Sequence, residues 1–242
     1  MVEHQTPHYK CYTTICMVYA TILIISVLFP YRIIDFFNVN EPVGVFILPL
    51  NYILGCAIAE VYGRKLALKM MWSSIFCLFL SNLIIYIVVR LPSGHSAGNQ
   101  QIFYDVFGSS MRFFFACFIG LVFSDLTNIY RITRLKLIFK GKYFIQRSLW
   151  VSMISEAIFN IITYTLCYFD KKSLIDIGHL IIYSWVFKVV YSLLLVLPLL
   201  YLMKFLKRVE KIDIYDVTSL GRMNSEEVLL KFLNGSNKAS ES

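Results

Sequence analysis

Charge is what this 242-residue chain has least of. Asp, Glu, Lys and Arg make up 16% of it while 58% is hydrophobic; a soluble domain carries about one quarter charged residues and about half apolar ones. The mean hydropathy is +0.66. A surface so poor in charge suits lipid, which identifies an integral membrane protein. Paired cysteine spacing is missing too: Cys11, Cys16, Cys56, Cys77, Cys117 and Cys167 lie scattered in apolar segments with no CxxC. They read as reduced thiols behaving as small hydrophobes. The histidines (His4, His8, His95, His179) form no HExxH pattern, so no metal and no cofactor is expected. A phosphate-binding GxxxxGK[ST] loop is also missing, and Gly108-Ser109-Ser110 is not a GxSxG elbow. With no deep histidine to act as a base, an enzyme is not expected.

The net charge of +8 raises nucleic acid as a partner, but its distribution argues against that. The basic residues cluster in short connections between apolar runs, where they act as topology signals. A nucleic-acid surface needs a polar domain to carry it.

Runs of roughly 20 apolar residues span a bilayer. They occur at about residues 12–29, 43–62, 67–89, 111–130, 148–169 and 179–203, which predicts an all-α bundle of six transmembrane helices. The first run ends in Phe29-Pro30-Tyr31 without a small-x-small site, so it reads as a retained span. Arg64, Lys65 and Lys69, then Arg131 to Arg147, then Lys204 to Lys211 collect on one side. By the positive-inside rule both termini are cytoplasmic. Residues 1–216 read as one membrane domain and 217–242 as a polar, disordered cytoplasmic tail. The 90–101 loop divides the spans into two groups of three.

The segment 48–67 carries Pro49 and Gly55 inside an apolar run, with Glu60 near its end. Hydrocarbon tolerates a broken helix and a carboxylate only where protein or a water-filled cavity surrounds them, and interrupted spans point to transport sites. A break at Pro49 and Gly55 is the expectation.

Further ionisable residues lie in the spans: Arg112, Asp125, Glu156 and Lys188. Each costs about 2.5–3.5 kcal/mol at the bilayer centre on insertion scales, so none should face lipid. Glu60 and Arg112 sit near span ends, where a helix-end charge and a snorkelling arginine are the plain alternatives. Arg112 and Asp125 are thirteen positions apart, about 20 Å along a helix, and cannot pair. Asp125, Glu156 and Lys188 sit deeper, at depths compatible with one layer. Asn128 follows Asp125 by three residues and Asn160 follows Glu156 by four, placing each amide on the face of its acid. Ser148, Ser152, Ser155, Glu156, Asn160, Thr163, Tyr164 and Cys167 form a polar stripe along the fifth span. An interhelical network explains such a stripe, and a cavity wall explains it better where two acids and a lysine share the bundle. Carboxylates and amides of this kind accept and donate to a planar, polar heterocycle, and aromatic rings can stack on it.

Pro49, Tyr52, Glu60, Tyr62, Gly63, Arg64 and Lys65 resemble the signature of the queuosine-precursor transporter family, also called the vitamin uptake transporter family. Arg112 and Ser124, then Phe187-Lys188 with Pro198 ten residues later, then residues 206–216 continue the likeness in order. Three departures stand out: Cys56 occupies a usual Asp, Asp125 and Asn128 stand where a Gln-x-x-Asp pattern is common, and Glu156 supplies an acid one turn before Asn160. The resemblance implies a bacterial inner-membrane carrier importing 7-deazaguanine precursors of queuosine, the cyano or aminomethyl base or queuine, for tRNA modification. Joined to the deep polar residues, it leads to a candidate binding set in which Asp125 or Glu156 takes the guanine-like edge, Asn128 and Asn160 complete it and Lys188 balances the charge, with Glu60, Arg112 and Asn51 added. The alternative is the substrate-binding subunit of a multi-component vitamin importer. Membrane lipids are the expected surroundings, direct contact with nucleic acid is not expected, and the oligomeric state stays open.

Overall fold

A backbone in lipid must satisfy its own N–H and C=O groups, and the apolar runs do so as helices. The computed structural model describes residues 9–28, 33–36, 39–91, 107, 111–212 and 214. Five helices appear among them: α1 (Tyr12–Leu28), α2 (Val43–Val89), α3 (Met111–Ile138), α4 (Phe144–Tyr168) and α5 (Leu174–Glu210). A short antiparallel hairpin, β1 (Ile33–Phe36) and β2 (Val39–Pro42), sets Ile33 opposite Pro42 and leads into α2. The sequence reading has no strands there. The expected tail over 217–242 and most of the 90–101 loop lie outside the described residues.

Helices α2 to α5 are long and apolar enough to cross a membrane; α1, at 17 residues, is shorter. The protein is therefore a multi-pass, helical membrane protein. The expected second and third spans are one 47-residue element, and the expected break at Pro49 and Gly55 does not occur. The helix runs through both and leaves helical geometry at Gly63, at φ 79° and ψ 175°. That backbone region is essentially reserved for glycine. Proline removes one hydrogen bond, and its neighbours Leu48, Asn51 and Tyr52 are buried in the bundle, which holds the helix together. The second limb turns back along the bundle. Cys56 touches Asn128 of α3, yet Phe79, well beyond Gly63, packs its ring 6.1 Å from Phe118, ten residues before Asn128.

Both described ends of the chain meet at one end of the bundle. The Lys10 and Cys11 backbone N–H groups donate to Glu210 at 3.2 and 2.6 Å, and the Tyr62 hydroxyl donates to the same carboxylate at 2.9 Å. Close packing relies on small residues. A Cβ at Gly120 would collide with Thr163 Oγ1 and Phe159, and one at Gly44 with the Ser26 carbonyl. Large side chains such as Trp150, Leu197 and Tyr201 point outward, as lipid-facing positions do.

Candidate functional site

Most of the polar side chains that the sequence places in hydrocarbon turn inward. On α4, Ser148, Ser152, Ser155, Glu156, Asn160, Thr163 and Cys167 are all buried while Tyr164 is half-buried, so the predicted stripe, Tyr164 aside, is the inner face of that helix. The links run from helix to helix. The Tyr19 hydroxyl of α1 donates to Asp125 Oδ2 of α3 at 2.8 Å. Tyr52 of α2 donates to Ser124 Oγ at 2.9 Å. Asn128 accepts from the Cys56 thiol at 3.1 Å and gives an N–H to the Tyr52 carbonyl at 3.1 Å. Cys56 Sγ lies 3.9 Å from Ser152 Oγ, one turn before Glu156.

Glu156 Oε1 accepts from Ser192 of α5 at 2.9 Å. One turn before Ser192, Lys188 donates to Asn160 Oδ1 at 2.5 Å and lies 4.9 Å from the centre of the Phe159 ring. Its charge also acts on Glu156. Asp125, Asn128, Glu156, Asn160 and Lys188 thus belong to one buried polar layer fed by all five helices.

That layer is not self-sufficient. Both amide atoms of Asn51, Asp125 Oδ1, Ser155 Oγ, Glu156 Oε2, Asn160 Nδ2 and Ser184 Oγ are buried without a hydrogen-bond partner among the described residues. Protein interiors seldom leave such groups unpaired. Several together, on adjoining helices, offer a small ligand both acceptors and donors. A separate groove of about 600 Å³ is lined by Phe79, Asn82, Tyr86, Arg90, Phe114 and Phe118 among others, with no carboxylate among the described residues of its wall.

Glu60 and Arg112 stand apart from the layer. Glu60 is gripped by both terminal nitrogens of Arg147, each at 3.1 Å. Lys207 lies 3.8 Å away, and Lys136 donates to the Glu60 carbonyl. Arg112 is exposed at the other end, paired with exposed Asp170 and donating to the Leu166 carbonyl. Its hydrogen bond holds the Asp170 carboxyl below the usual range. Sequence reasoning missed Tyr19, Ser184 and Ser192 altogether and read Arg147 and Lys136 only as topology charges.

A family model described as "putative vitamin uptake transporter" matches residues 42–203. No curated protein and no solved structure matches the chain. The match covers more than half of the chain and takes in every member of the polar layer except Tyr19. A bundle of membrane helices, an inward polar layer with unpaired donors and acceptors, and this match agree: the chain belongs to the vitamin uptake transporter family.

Proposed function

We propose that the protein imports 7-deazaguanine precursors of queuosine across a bacterial inner membrane, crossing it six times with both termini in the cytoplasm. The two limbs of α2 count as separate crossings, and the meeting of Glu210 with Lys10 and Cys11 agrees with an even number. The observation that carries the substrate reading is the set of unpaired atoms around Glu156. Its Oε2 is an acceptor for an adjacent N–H and amino edge, and Asn160 Nδ2 is a donor for a neighbouring acceptor. Asp125 Oδ1 accepts a further N–H of the base, while Lys188 balances the charge of Glu156. Asn128 serves by fixing Cys56 and Tyr52, since its amide is already engaged there.

The test is expression in a bacterium that can neither make nor import queuosine precursors, with each base supplied separately at low concentration. Queuosine in tRNA restored by one base supports the reading and names the substrate. The family description favours a second reading, a vitamin as cargo with this chain as the binding subunit of a larger importer. Co-purified ATPase subunits together with failure of every base would select it.

A further inference from the structure

The two acids of the polar layer differ in how their charge is met. Glu156 accepts a hydrogen bond from the Ser192 hydroxyl and stands one turn before Asn160, to which Lys188 of α5 donates. Asp125, only 2% exposed, has one neutral donor, Tyr19 of α1, and its second oxygen is unpaired among the described residues.

The cations on the elements around Asp125 are committed elsewhere. From α2 come Tyr52, whose hydroxyl goes to Ser124, and Cys56, whose thiol goes to Asn128. From α4 come Glu156 itself and, at the far end, Arg147, which is committed to Glu60. From α5 come Lys188, bound to Asn160, and Lys207, which faces Glu60. On α3 itself, Lys136 is three turns away and donates to the carbonyls of Glu60 and Ile214. Among the described residues no cation faces Asp125.

We propose that Asp125 is a neutral acid in the substrate-free protein, and that substrate binding exchanges for its proton. A lone carboxylate in a membrane interior is unfavourable unless it is protonated or paired. When a donor-rich base arrives, the O–H bond at Asp125 breaks and the proton passes to water on the side from which the base enters. The carboxylate then accepts an N–H of the base. Departure of the base reverses the step: a proton from water on that side re-forms the O–H bond, and the carrier returns neutral. One base moved inward therefore moves one proton outward. The inference rests on the deazaguanine reading for its probe but not for the protonation of Asp125.

Two measurements on the purified full-length protein test it. The first, without substrate, is infrared spectroscopy at neutral pH. A neutral carboxyl band is expected in the wild type, lost in Asp125→Asn and kept in Glu156→Gln; a wild type without the band overturns the proposal. The second adds the uncharged 7-cyano base in weak buffer. About one proton released per base bound is expected, with affinity falling up to tenfold per unit of acidification over the range where the acid holds its proton. Asp125→Glu, which keeps the carboxyl, should retain both signals, so a folding defect in Asp125→Asn cannot decide the matter. In liposomes an inside-acid gradient should drive base inward. Accumulation driven by outside acid, or binding without proton release, contradicts the exchange while leaving the substrate assignment standing. If no base binds at all, the substrate assignment fails, and the infrared band alone decides whether Asp125 holds a proton.

Discussion

Glu60 and Arg147 meet as a two-pronged ion pair, with both nitrogen–oxygen distances at 3.1 Å and both side chains at most 2% exposed. Arg147 also donates to the Lys142 and Gly141 carbonyls, and Lys136 joins the Glu60 carbonyl to that of Ile214. The pair therefore fastens the start of α4 and the end of α3 to the last turn before the Gly63 break. It is an anchor for helix ends, set apart from the polar layer.

Removing one partner of a buried pair leaves the other charge uncompensated, which costs about 3–5 kcal/mol. Glu60→Met and Arg147→Met should each lower the Tm in detergent markedly. The double replacement Glu60→Met with Arg147→Met should cost clearly less than the two single losses combined. Strictly additive losses would show that the two residues do not act as a pair.

Gly63 has a backbone conformation that a side chain strains by about 1–3 kcal/mol. Gly63→Ala should reduce the Tm and the yield of folded protein, whereas Gly178→Ala, at a helical position where a Cβ meets nothing within 4 Å, should not. Thermal unfolding of both variants under one condition makes the comparison.

Glu156→Gln removes the charge while keeping the shape of a side chain with one oxygen unpaired among the described residues. A hydrogen bond to a charged group contributes about 1.5–3 kcal/mol, so base uptake should fall roughly 10- to 100-fold at matched membrane expression. Asn160→Ala should act in the same direction. The readout is initial uptake rate, with protein quantified in the same membranes.

Arg112 and Asp170 are exposed partners, and Arg112→Ala should leave uptake near the wild-type value. The hydrogen bond from Arg112 depresses the Asp170 carboxyl. Whatever stability the pair contributes is present above the ordinary carboxylate range and lost as pH falls through the lowered value. In Arg112→Ala the Asp170 titration should move up toward that range, which NMR of a labelled carboxyl reads directly.

Much of the fold could be read from the chain because lipid enforces it: apolar run length sets helix length, and the α4 stripe had to face inward. The break at Gly63 was harder to locate. Pro49 and Gly55 are the usual helix breakers by local rules, yet packing keeps the helix intact at both. Only the conformation at Gly63 shows which residue gives way. The deep charges Asp125, Glu156 and Lys188 announced themselves by the cost of burying them. Their neighbours did not. Tyr19 lies on a helix with no ionisable Asp, Glu, Lys or Arg to mark a polar site, where a buried aromatic looks like any other core residue. Arg147 is 87 positions from Glu60, in a cluster that topology alone explained.

The proposed role of the layer around Glu156 is to carry a deazaguanine base through the membrane. Uptake of each labelled base into cells lacking any other route measures it most directly, with wild type and Glu156→Gln compared at equal membrane levels. Accumulation of at least one base by the wild type, and roughly tenfold less or lower by the variant, is the expected outcome. No uptake of any base by correctly inserted wild-type protein, or equal uptake by the two, would contradict it.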